Sequence, residues 1–128
     1  MEAACTDLGY LAGCVVDAGL KVHRTLGPGL LESVYEQCLA RELFVRGISV
    51  GRQIAVPIAY EGIELGVGYR VDLLVEDRLI IEIKAVEALT RLHEAQLRTY
   101  LRLASRPFGL LMNFNVELFR DGVRRITA

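Results

Sequence analysis

The chain has 128 residues, 52% hydrophobic and 24% charged, with a formal net charge of −1. That length and apolar content fit one folded domain over residues 1–128 and exclude a disordered chain, while no apolar run approaches the roughly 18 residues that span a bilayer. The near-neutral charge excludes bulk electrostatic attraction to nucleic acid, so any basic surface must be local.

The N-terminus has no basic start followed by an apolar block, so a cytoplasmic location with no membrane partner is expected. Thr6 or Asp7 is placed to cap a first helix running to about Thr25. Leu8, Leu11, Val15, Ala18 and Val22 recur in it at helical spacing and predict one core-facing stripe. Leu26-Gly27-Pro28-Gly29 breaks the chain, and a second helix is expected from about Leu30 to Arg46, closed by Gly47. Its buried face is read as Leu31, Val34 and Cys38 with the row Leu30, Leu39, Leu43. Glu32 falls in its first turn, where the helix dipole favours a carboxylate, and Tyr35 lies on the neighbouring surface one turn later. Cys5, Cys14 and Cys38 are odd in number, widely spaced and form no CxxC pair, so they are read as reduced thiols and not as a zinc site with His23 or His93.

Ile48 to Tyr60 reads as a strand in which Pro57 marks an edge or a bulge. Glu61-Gly62 turns the chain, and Ile63 onward returns as a long strand carrying Asp72. Gly66 and Gly68 share the face of Asp72 by alternation, leaving room for a ligand or another backbone; a bulge explains them equally.

Tyr69 to Ala85 reads as a hairpin with two aliphatic arms interrupted by Asp72, Glu82 and Lys84. Side chains alternate across a strand, so Glu82 and Lys84 share one face while Leu79, Ile81 and Ile83 share the other. If the turn is the triplet Glu76-Asp77-Arg78, Asp72 falls directly opposite Glu82; a two-residue turn would put Asp72 on the apolar face. Cross-strand partners have Cβ atoms about 4.5–5.5 Å apart, where like charges repel. A positive charge is therefore expected between them, either Lys84 or a hard divalent ion such as Mg²⁺ or Mn²⁺. The structural alternative is a hairpin with a surface ion pair.

Val86 to Thr90 reads as a connector and Arg91 to Ala104 as a helix, with Leu92, Ala95, Tyr100 and Leu103 as its apolar row. His93, Gln96 and Tyr100 line one face, and Arg91, Arg98, Arg102 and Arg106 make this the most basic segment. Gly109 to Phe114 has the composition of a buried parallel strand reached by a helix crossover. Val116 to Phe119 and Val123 to Ile126 are expected to form a last hairpin around Asp121-Gly122. The fold class is α/β, with a mixed central sheet flanked by helices.

Asp72 followed by Glu82-x-Lys84 on the next strand resembles the core pattern of the PD-(D/E)XK phosphodiesterases. Gly29-x-x-Glu32-x-x-Tyr35, the stretch His93 to Leu101 and the run Gly109 to Asn115 follow in the order of the small GxxExxY family, a branch of that superfamily. The resemblance runs from about His23 to Ile126. It implies a restriction-endonuclease-like core with Asp72, Glu82 and Glu32 as Mg²⁺ or Mn²⁺ ligands. It also implies Lys84 as the catalytic lysine and Gln96 as the helix residue reaching back to the site. Lys21 and Lys84 are the only lysines in an arginine-rich chain, which suits a position needing a compact point charge. Tyr35, Arg98, Tyr100 and Arg102 are the candidate substrate contacts.

The function expected is a metal-dependent nuclease acting on DNA or RNA. The rival is a non-catalytic module that keeps the fold to bind nucleic acid or protein, and a third reading is a site for a small phosphorylated ligand. A homodimer is expected if both strands of a duplex are to be cut.

Overall fold

The computed structural model describes residues 7–128, apart from the side chain of Val67. Helix α1 spans Leu8–Leu26 and α2 Glu32–Val45. Strands β1 (Val50–Tyr60), β2 (Ile63–Val75) and β3 (Leu79–Lys84) follow, then α3 (Arg91–Leu103), β4 (Phe108–Asn113), a 3₁₀ turn (Phe119–Gly122) and β5 (Val123–Thr127). The five strands lie in chain order in one sheet. β3 and β4 are parallel, joined through α3, and the other neighbours are antiparallel.

The sheet is covered on both faces. α1 and α2 pack on one face through Leu11, Val15, Leu39 and Leu43, against Leu73, Ile81, Ile83 and Met112. α3 covers the other face, where Leu97 and Leu101, one helical turn apart, meet Ile80, Leu111 and Ile126. This is the α/β sandwich with a mixed sheet expected from the sequence.

Asp7 caps α1, its Oδ1 accepting from the Tyr10 N–H at 3.0 Å, while Thr6 and Cys5 lie outside the described residues. α2 begins two residues later than expected, and Gly47 beyond its end takes a left-handed φ of 80°. Leu30 and Leu31 are exposed, at 40% and 74%, because they belong to the loop before α2; the buried face is instead Tyr35, Glu36, Leu39, Ala40 and Leu43. On α3 the expected apolar row is displaced in the same way. Leu92 and Leu103 are exposed, and Leu97 with Leu101 makes the contact with the sheet.

β1 is an edge strand whose register shifts between Pro57 and Ala59, the irregularity proline was expected to mark. Gly68 is explained by close backbone approach, since a Cβ there would lie 1.9 Å from the Val56 carbonyl oxygen. The last hairpin is not as expected. Val116 to Leu118 forms no strand, Phe119 turns inward in the 3₁₀ turn to meet Phe114 and His23, and β5 pairs with β4.

Candidate active site

The site is set by the turn of the β2–β3 hairpin. Glu76 and Asp77 both take φ near 55°, the Arg78 N–H donates to the Val75 carbonyl at 3.0 Å, and Val75 pairs with Leu79. That three-residue turn fixes Leu73 opposite Ile81, so the next pair outward is Asp72 and Glu82. There side chains take over from the backbone ladder. The Asp72 N–H donates to Glu82 Oε2 at 3.1 Å, and the Ile83 N–H donates to Asp72 Oδ2 at 2.7 Å. β2 also changes face at this point: Tyr69, Val71 and Leu74 belong with α3, while Leu73 and Val75 belong with α1 and α2. The carboxylates therefore sit where the two strands part.

Glu82 is only 6% exposed. Burial, then the charge of Asp72, pushes its carboxyl from 4.5 up to about 8. The charge of Glu32 acts in the same direction, and the Asp72 N–H and the Lys84 ammonium oppose it. Lys84 is half-buried on the same strand, two residues on.

Glu32 reaches the end of β3 from the first turn of α2, where its Oε2 accepts from the Ala85 N–H at 3.3 Å. Its placement depends on the Gly27–Leu31 loop, which Tyr35 organises. The Tyr35 hydroxyl donates to the Gly27 carbonyl at 2.7 Å and accepts from the Leu30 N–H at 3.0 Å, and its ring stacks on Phe114 at 4.7 Å. Asn115 Oδ1 accepts from the Gly29 N–H at 3.0 Å, tying the same loop to the end of β4. Buried Asn113 holds Val86 by a pair of bonds, accepting from its N–H at 3.0 Å and donating to its carbonyl at 2.9 Å. These contacts fix the loop after Lys84 to the loop before Glu32.

With 0% of its surface exposed, Tyr35 has none left for a substrate. Its expected contact role is replaced by that structural one. Tyr100 is half-buried and faces the carboxylates: burial, then the charge of Glu82, raises its phenol, Asp72 adds to the rise, and a hydrogen bond with Gln96 opposes it. Tyr69 stacks on Tyr100 at 3.9 Å and donates its hydroxyl to the Tyr100 carbonyl at 2.6 Å. Gln96 and Tyr100 thus lie on the site side of α3. At about 100° per residue, Arg98 and Arg102 project from the opposite flank of the Leu97–Leu101 row, so the helix does not bring them to the carboxylates.

Three neighbours were not legible as site residues. Gln53 Nε2 donates to Asp72 Oδ1 at 3.2 Å and to Glu36 Oε1 at 2.8 Å. Glu36 is 7% exposed and its other oxygen accepts from Arg52 Nε at 3.2 Å. Arg70, two residues before Asp72, donates from Nη1 to the Gln53 carbonyl at 3.4 Å. Glu36 does follow Glu32 by one helical turn, and that spacing was the available signal.

Among the described residues no group of three His, Cys, Asp or Glu side chains is gathered as a metal site. Asp72 and Glu82 form a pair, and Glu32 stands apart at Ala85. A pair suits a hydrated hard ion, which takes one or two carboxylates and keeps several waters. Burial and the Asp72 charge raise the proton affinity of Glu82 in spite of the opposing Lys84 ammonium, and a divalent ion would supply further positive charge there. The donor chemistry therefore fits. His23 and His93 have other work: His23 Nε2 lies 2.7 Å from the Val116 carbonyl oxygen, and His93 Nδ1 accepts from the Thr90 N–H at the start of α3. Cys14 and Cys38 are free thiols. A groove of about 530 Å³ between α1 and α2, floored by Val22, Leu26 and Cys38, shares no residue with the carboxylate pair.

No helix of the described residues is long and apolar enough to cross a membrane. A search of curated proteins gave no match. The parted strands, the opposed carboxylates and the lysine two residues after Glu82 agree with a family-model match covering residues 10–126, by which the chain belongs to the PD-(D/E)XK nuclease superfamily.

Proposed function

We propose that the chain is a nuclease of the GxxExxY branch of its superfamily, hydrolysing phosphodiester bonds of DNA or RNA with Mg²⁺ or Mn²⁺. Nucleases of this superfamily are generally dependent on a divalent metal. The observation that carries the reading is the opposed pair of half-buried Asp72 and buried Glu82 with Lys84 beside it.

Asp72 and Glu82 would hold the ion, with Glu32 contributing charge from the first turn of α2. A bound divalent ion polarises a phosphoryl oxygen and lowers the pKa of a coordinated water. Lys84 places a compact positive charge where negative charge develops on the phosphate. Gln96 and Tyr100 close the α3 side, where the neutral amide can orient a water or the phosphate backbone. Arg70, two residues before Asp72 and bonded to the Gln53 carbonyl, would meet a flanking phosphate in preference to Arg98 and Arg102. A second copy would be needed to cut both strands of a duplex, and a homodimer is part of the proposal.

The net charge of −1 favours a second reading, a binding module without turnover. A cleavage assay on single-stranded, duplex and structured DNA and RNA separates them. Wild type is expected to cut with Mg²⁺ or Mn²⁺ and to stop with chelator. Glu82→Ala should abolish cutting, and Lys84→Met should slow it by about 10²–10³-fold. Cleavage that survives both substitutions would refute the assignment. Salt-dependent binding without cleavage would establish the module instead.

A further inference from the structure

Both oxygens of half-buried Asp72 have partners within the chain. Oδ2 accepts from the Ile83 N–H at 2.7 Å, and Oδ1 accepts from Gln53 Nε2 at 3.2 Å. The same Gln53 nitrogen donates to Glu36 Oε1 at 2.8 Å. An amide nitrogen carries two hydrogens, so one goes to each carboxylate. Glu36 is a fixed anchor, buried and held through its second oxygen by Arg52 Nε at 3.2 Å.

The backbone at this point is unusual too. Gln53 has a left-handed φ of 51°, although it is not glycine and lies within β1. Pairing is regular on either side, Arg52 with Leu73 and Ile54 with Val71, and the interruption falls opposite Asp72. Strain of this kind persists where the surroundings over-determine it, and it gathers at functional sites. The residue type also suits the task. Arg or Lys would neutralise Asp72 and compete with a metal ion, and Glu would add repulsion. A glutamine amide orients two carboxylates without changing their charge.

We propose that Gln53 is a positioning residue for the Asp72 carboxylate, and that Glu36 acts on Asp72 only through Gln53. The proposal rests on the reading of Asp72 as a metal ligand. Partners that orient a ligating carboxylate from outside typically contribute 10–100-fold in metal affinity.

The test is Mn²⁺ titration calorimetry on the full chain, with wild type, Asp72→Ala, Gln53→Met, Glu36→Ala and the Gln53→Met/Glu36→Ala double variant. Asp72→Ala should lose Mn²⁺ binding. Gln53→Met should weaken it by about 10–100-fold with the wild-type stoichiometry kept. Glu36→Ala should weaken binding when Gln53 is present and change it by less than about 2-fold in the Gln53→Met background, the non-additivity of residues acting in series. If Gln53→Met does not fold, Gln53→Asn replaces it: asparagine suits a left-handed backbone, and its shorter arm cannot span both carboxylates. Wild-type Mn²⁺ affinity in the Gln53 variants, with binding lost in Asp72→Ala, overturns the positioning role. Equal weakening by Glu36→Ala in both backgrounds overturns the relay. Binding that survives Asp72→Ala overturns the metal reading and the proposal together.

Discussion

Substituting Glu82 by glutamine should flatten the pH dependence of stability in the metal-free protein. Native Glu82 keeps its proton up to about 8, whereas the ordinary carboxyl releases it near 4.5. Between those values the unfolded chain binds fewer protons than the native one, so stability falls as pH rises. The contribution is fully present below 4.5 and lost as pH passes 8. At about 1.4 kcal/mol per pH unit the whole loss is roughly 5 kcal/mol, of which about 3 has occurred by pH 7. Glu82→Gln preserves shape and an oxygen to accept the Asp72 N–H, and removes the titration. Urea unfolding followed by circular dichroism in chelator, at pH values from 4 to 9, gives both curves. Groups that do not feel the Glu82 charge cancel in the difference; these include Glu42, whose carboxyl the Arg46 hydrogen bond holds down. Wild type should lose roughly 5 kcal/mol relative to Glu82→Gln across that range. Parallel curves, or wild type gaining on the variant as pH rises, would refute the reasoning.

Tyr35→Phe leaves the Gly27 carbonyl and the Leu30 N–H without their partner. It should destabilise the protein by about 1–3 kcal/mol in denaturant unfolding. Arg70→Ala should lower the salt slope of nucleic-acid binding by about 1, whereas Arg98→Ala, on the far flank of α3, should leave it unchanged. Equal effects from the two arginines in a fluorescence-anisotropy titration would contradict the assigned substrate path. Mn²⁺ at 100 times its dissociation constant should stabilise wild type by about 2.7 kcal/mol and leave Glu82→Ala unmoved in a thermal melt.

The order of elements and the hairpin register were legible because both follow from local chemistry. Alternation of Leu79, Ile81 and Ile83 fixed the face of β3 that meets α1 and α2, and the Glu76-Asp77-Arg78 turn set Asp72 opposite Glu82. The buried row of α3 was not legible. Leu92, Leu97, Leu101 and Leu103 offer competing helical stripes, and docking against Ile80 and Leu111 selects between them. Glu36 has the sequence character of a solvated helix residue, and only its contacts with Arg52 and Gln53, 16 and 17 residues away, draw it inward. The burial of Tyr35 was not legible, because its ring is covered by Phe114, which arrives from the far end of β4. The 3₁₀ turn in the last segment was not legible either, because Phe119 fills core space beside Phe114 and His23, a long-range contact that overrides its strand propensity.

Proton release on binding Mg²⁺ or Mn²⁺ most directly tests whether Asp72 and Glu82 form a divalent-cation site. At pH 7 the Glu82 carboxyl, raised to about 8, is mostly protonated, and an ion taking its place must displace that proton. Calorimetry in buffers of different ionisation enthalpy counts the protons. Close to one per ion is expected at pH 7, falling toward zero above pH 9, with binding lost in Asp72→Ala and Glu82→Ala. Binding without proton release at pH 7, or binding that survives either substitution, would contradict the assignment.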